Sequence, residues 1–318
     1  MTHTTAHADN GHLSTVQRWS SRALHWLHTA HQHNRGHRLD GMTADPADPN
    51  STYKPLGECA LAASLILREG VAGADDLRAA RSLLDSCWRQ LQDGDLLYER
   101  QLRHLTLTDP LELYAHFFRA GYHHRPLEKL LAEYADLCAP HVVEMVPNRR
   151  LAVANARRIT GIGTEPDWGR LAEQTWLGAT PEPWAIDWKT GYDITHTVFH
   201  LTDWGARPKG LPADLAAYLR AWLPVWVDIW LEVGQWDLVG ELLIVDACIG
   251  DPVCGPEPFR QLAAVQHDDG LTPRDSDTVT DDLHQAVADH EHTAVVAVVT
   301  GTLTLSRALG AAAASAPA

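Results

Sequence analysis

Basic residues are scarce in this 318-residue chain: 26 lysines and arginines stand against 41 aspartates and glutamates, a net charge of −15. Nucleic acids and anionic lipid surfaces are bound through basic patches, so this balance argues against both as partners. Cysteine is also sparse. Cys59, Cys87, Cys138, Cys248 and Cys254 are scattered, odd in number and without a CxxC pair, which fits reduced thiols and a cytoplasmic protein. No stretch reaches the roughly 18 apolar residues of a membrane span, so none is expected. The nearest, 293–305, is interrupted by Thr and Gly, and the N-terminal residues lack the apolar centre of a secretory signal. P-loop, GxGxxG, GxSxG and DDxxD motifs are missing, which removes the usual nucleotide, hydrolase and prenyl-diphosphate readings. Alternation with period 2 is missing too, which removes strands.

What remains is apolar and helical. Apolar residues make up 45% of the chain, and 12 tryptophans dominate the aromatics. Helical periodicity with capping or proline starts predicts helices over 13–33, 56–69, 74–92, 110–120, 126–138, 148–160, 167–177, 190–204, 213–233, 237–249, 256–266 and 278–309. The last is long enough that a break near Asp289 is expected. Residues 1–12 and 310–318 read as disordered ends around a single domain, 13–309. One-sided helices in short-loop pairs must close on something, so the expected fold is all-α: an (α/α) toroid of about twelve helices in antiparallel pairs.

The most informative stretch is 191–205, GYDITHTVFHLTDWG. Asp193, His196, His200 and Asp203 are spaced 3, 4 and 3 apart, which puts them within an arc of roughly 80° on a helix. Buried charge is costly unless it is paired, bound to metal or used, so this stripe reads as the wall of a polar pocket. Asp203 is the candidate general acid or base, desolvated by Phe199 and Trp204, with His196 and His200 as its partners. The His-x3-His spacing followed by a carboxylate leaves a second reading open, a divalent metal on His196, His200 and Asp203. The third is an inert network of His–Asp hydrogen bonds. Glu241, inside the apolar run WDLVGELLIVDAC, joins the candidate wall; Cys248, on its face, has no cationic neighbour to activate it. His292 joins through the His-Thr dipeptide it shares with His196. Glu112 pairs with His116 at i, i+4, and Tyr114 lies between them. Trp188, Trp204, Trp230 and Phe199 are the candidate aromatic lining. The histidines His25, His28, His31, His33 and His37 read as surface features, with no cysteine beside them in sequence to suggest zinc.

Two segments share Q-x-x-D-G: Gln90–Asp93–Gly94 and Gln266–Asp269–Gly270. This pattern at a helix end resembles the repeated QW motif of squalene-hopene and related class II terpene cyclases, although Leu96 and Thr272 stand where that family carries tryptophan. The segment THTVFHLTDWG resembles an uncharacterised actinobacterial all-α family found beside natural-product genes, over about residues 53–292. The resemblances imply an (α/α) barrel and acid–base cyclisation or isomerisation of an apolar polyene, isoprenoid or polyketide-like molecule without a cofactor. The alternatives are a metal-dependent lyase or hydrolase and a non-catalytic helical-repeat binding protein.

Overall fold

The computed structural model describes residues 2–32, 53–142 and 144–315, and no strand occurs among them. The helices are α1 (Thr2–Gln32), α2 (Tyr53–Glu69), α3 (Ala74–Gln90), α4 (Asp95–Arg103), α5 (Asp109–Arg119), α6 (Arg125–Ala135), the single turn α7 (Ala139–Val142), α8 (Pro147–Thr160), α9 (Trp168–Glu173), α10 (Trp188–Thr202), α11 (Ala213–Val233), α12 (Trp236–Cys248), α13 (Glu257–Val265) and α14 (Leu283–Ser315). The protein is all-α.

Local chemistry sets the starts. Proline occupies the first turn of α5, α6 and α8, where its missing N–H costs nothing. At α10, Asp187 and Thr190 form a reciprocal capping box. The ends depart from expectation in three places. Residues 2–12 and 310–315, expected as disordered, continue α1 and α14. Helix α14 does not break near Asp289: the residues after it are buried on almost every side, and that packing holds the helix through. Helix α4 follows Asp93–Gly94, which the sequence pattern marked only as a helix end.

Six helices pack in a closed cycle: α2 on α5, α5 on α8, α8 on α10, α10 on α12, α12 on α14, and α14 on α2. Of the others, α1 lies on α14 and α3, α3 on α2, α4 on α5, α6 on α4, α7 on α6, α9 on α8, and α11 and α13 on α12. Helix α12 is buried from Asp237 to Cys248 on all its faces, the pattern of a helix enclosed by others. By length and composition alone α14 could cross a membrane, but more than half of that stretch is buried against its neighbours, as in a core helix.

The second Q-x-x-D-G segment has a structural role. Gly270 has φ +99°, and its carbonyl and that of Trp19 accept from the Gln266 amide at 3.1 and 3.0 Å. This ties the loop after α13 to α1. Close helix crossing also needs Gly301, where an added Cβ would sit 2.3 Å from Ser20 Cβ on α1. Gly301→Val is therefore expected to wedge α1 from α14 and cost about 1–3 kcal/mol. An unchanged urea midpoint would contradict that contact.

Candidate functional site

A cavity of about 580 Å³ opens among the six cyclically packed helices, and each of them contributes to its lining. Helix α2 supplies Lys54, Glu58 and Leu61; α5 supplies Asp109, Glu112 and His116; α8 supplies Asn148, Arg149 and Ala152. From α10 come His196, Phe199 and His200, followed by Trp204; from α12 Glu241 and Ile244; from α14 His292, Val295, Val296 and Val299. Charged groups and a continuous apolar set share one space.

One wall is a carboxylate–imidazole group. The His292 side chain, 38% exposed, has Nδ1 3.1 Å from Glu58 Oε2 and Nε2 3.3 Å from Glu241 Oε1 and 3.7 Å from Asp237 Oδ2. Asp237 and Glu241 are only 2% exposed. Burial would lower the His292 pKa, but Glu58 and Asp237, with Glu241, outweigh it and raise it well above the ordinary value. Burial pushes the Asp237 carboxyl up. Burial acts the same way on Glu241, where His196 and His292 prevail and hold it down. Tyr192 donates to Asp237 Oδ2 at 2.6 Å, Thr293 to Oδ1 at 2.9 Å, and the Thr195 hydroxyl donates to Glu241 Oε2.

The remaining imidazoles are in a different state. His116 is pushed down to about 3 by burial and by the Arg119 cation. Burial, with His196 and Arg149 nearby, drives His200 well below the ordinary value. Both are neutral at pH 7, and both leave a buried Nδ1 without a protein partner. His196 Nδ1 lies 2.8 Å from the Tyr192 carbonyl, which can only accept, so this nitrogen carries a proton. Arg149 closes the charge balance nearby, donating to Glu112 at 2.6 Å and to Thr108 at 3.0 Å, with Glu144 3.3 Å away. Asn148 donates to Asp193 at 3.1 Å and leaves its own buried carbonyl oxygen unpartnered.

The profile of a family described as Domain of unknown function (DUF6895) matches residues 20–302. The chain belongs to this family. No curated protein and no solved structure matches it.

In this DUF6895 chain, seven of the sequence candidates meet in the cavity: His196, His200, Glu241, His292, Glu112, Phe199 and Trp204. Five do not. Asp203 follows the last residue of α10, turns left-handed at φ 48° and pairs with Arg119, which places it outside the lining. It is thus beside a cation rather than desolvated by aromatics, and a metal shared by His196, His200 and Asp203 has no common site. Asp193 holds Asn148 from behind instead of facing the cavity. Trp188 is 62% exposed at the start of α10. Trp230 sits on α11, which packs on α12 from the other side. Tyr114 is fully buried against Trp88 and Phe118 and donates to Glu128 on α6 at 2.5 Å.

Glu58, Glu144, Asn148, Arg149 and Asp237 were not among the sequence candidates for the site, whereas His116 and Asp109, which the sequence sets beside Glu112, do line the cavity. Glu58 carries the signal that exposed Glu241, a lone carboxylate in an apolar helix. Asp237 stands in the first turn of α12, where acidic residues are common, so its position carries no signal of a site. Cys248 is buried and its thiol is pushed up to about 12 by that burial, so it is unreactive. Of the N-terminal histidines, His25 lies 3.1 Å from Asp76 and His28 2.9 Å from Ser82, while His33 and His37 fall outside the described residues. His31 is a correction. It is buried, with Nε2 2.7 Å from Glu291 and 3.3 Å from the Cys59 sulfur, so a cysteine accompanies it in space.

Proposed function

We propose that this chain is a small-molecule enzyme that moves protons on a guest held inside an (α/α) toroid, in the class of cyclisation or isomerisation reactions. Helices α2, α5, α8, α10, α12 and α14 form its inner ring and the others its outer layer. One observation carries the reading. A single cavity holds the neutral imidazoles of His116 and His200 beside a cationic imidazole, His292, set among carboxylates. Groups of one type whose environments drive them to opposite protonation states divide the acid and base roles. His200, held neutral and lining the cavity, is the base, and the His196 ring is its neighbour at a centroid separation of 6.4 Å.

The lining also shapes the guest. Leu61, Phe199, Trp204, Ile244 and the valines of α14 suit an apolar body, while Arg149, Lys54 and the carboxylates suit a polar end. An amphiphilic polyene, isoprenoid or polyketide-like intermediate fits both, and a purely hydrocarbon guest would leave the polar groups desolvated without partners.

The test is incubation with a panel of such compounds in heavy water, reading deuterium uptake into the guest by mass spectrometry. The expected result is uptake that His200→Gln lowers about 100-fold or more. Uptake unaffected by that variant would remove His200 from the role, and none with any compound would count against an enzyme.

A further inference from the structure

Helix α12 presents Asp237 and Glu241 one turn apart, and α14 brings His292 against both. One ligand atom from each of the three falls within 4.8 Å of the other two. His292 meets Glu241 in a hydrogen bond and Asp237 in an ion pair, and both contacts are loose. Charge-assisted N–H···O contacts close to about 2.7–2.9 Å, and these stand at 3.3 and 3.7 Å. A tetrahedral ion with bonds of roughly 2.0–2.2 Å separates its ligand atoms by about 3.3–3.6 Å. The 3.3 Å contact falls in that range and the 3.7 Å contact lies just beyond it.

The surroundings follow the same plan. Metal-binding imidazoles and carboxylates are held by outer hydrogen-bond partners. Here Thr293 and Tyr192 donate to Asp237 and Thr195 donates to Glu241, while the Glu58 carboxylate stands 3.1 Å from the far nitrogen of His292 as an ion-pair partner off the hydrogen-bond line. Two carboxylates at 2% exposure share the one imidazole, while Glu58 beside it is also paired with Lys54 at 3.5 Å. The cavity beside them leaves a coordination position open to solvent or to a guest.

We infer that Asp237, Glu241 and His292 bind one divalent first-row metal ion at the cavity wall, with Glu58 orienting His292 from the outer shell. Two carboxylates and one imidazole suit zinc or manganese and disfavour ions that demand thiolates. The inference rests on the enzymatic reading and amends it: the ion would displace the proton that His292 otherwise holds and polarise the polar end of the guest in its place, with His200 remaining the base.

Full-length protein stripped with chelator and titrated calorimetrically with zinc, manganese and magnesium chlorides decides the matter. The expected result is one equivalent of zinc or manganese bound and a raised melting temperature. His292→Gln, at a partly exposed position, should weaken binding at least 100-fold, and Glu58→Gln 10- to 100-fold. Because Asp237 and Glu241 variants could fail to fold, cobalt loading of the unaltered protein is the second measurement. Visible ligand-field bands without thiolate charge transfer support the site. A thiolate band would place the ion at His31, Cys59 and Glu291 and overturn it, as would the absence of stoichiometric uptake. Metal uptake without guest chemistry would leave the ion site standing and count against the enzyme. Deuterium exchange by metal-free protein would leave the enzyme standing and count against the ion's part in its chemistry.

Discussion

Glu291→Ala is expected to destabilise the fold by about 3–5 kcal/mol, because it leaves the His31 imidazolium buried without its carboxylate. His31 Nε2 lies 2.7 Å from Glu291, and the two side chains are 1% and 4% exposed. Burial would lower the His31 pKa, but the Cys87 sulfur and Glu291 outweigh it and hold it up at about 9. A histidine raised in the folded state lends stability that is complete below the unfolded value near 6.5 and fades as pH rises through about 9. That loss is on the order of 3 kcal/mol across this window. Urea midpoints at pH 6 and 9.5 check it, with a His31→Leu, Glu291→Met double variant as reference. The double variant should lie well above Glu291→Ala and have a flatter pH profile. Cys59 and Cys87 remain in both proteins, so the difference reports the imidazole and its partners. Equal wild-type stability at the two pH values would mean the pair is not ionised.

Asp203→Ala is expected to cost a comparable 3–5 kcal/mol while leaving chemistry per folded molecule unchanged. Its carboxylate pairs with Arg119, whose side chain is 9% exposed and would be stranded. The backbone matters as well. Asp203 and Trp204 both adopt positive φ, at 48° and 52°. Arginines hold this end of α10 in place: Arg68 donates to the carbonyls of Asp203 and Trp204 at 2.9 and 2.6 Å, Arg158 to that of His200 at 3.0 Å, and Arg307 to that of Gly205. Cations at a helix C-terminus satisfy its free carbonyls and its dipole. Arg119→Met in the Asp203→Ala background should recover part of the loss. A large fall in deuterium uptake with unchanged stability would restore Asp203 to the reaction.

That residue marks where the sequence stops being legible. Periodicity correctly put His196 and His200 on one face, because α10 is regular between them. It failed at Asp203 because the helix ends at Thr202 and the next residue turns the other way. All-α character was readable from period and capping, yet which helices enclose the cavity was not: Trp230 and Tyr114 have the residue types of a lining and sit outside it. Glu241 stood out as a carboxylate among apolar neighbours, and the same argument applied to Glu58 would have found its partner. His31 with Cys59 and Glu291 was invisible, since their proximity depends on α1, α2 and α14 meeting in space.

The closing contact of the cycle, α14 on α2, joins segments more than two hundred positions apart. During synthesis, α2 leaves the ribosome long before its neighbour exists, and Glu58 has no imidazole to face until His292 has emerged. Such distant pairing slows folding. The nascent chain therefore carries an unfinished, open-sided bundle with exposed apolar flanks for most of its translation, and the chamber forms only after α14 has been made.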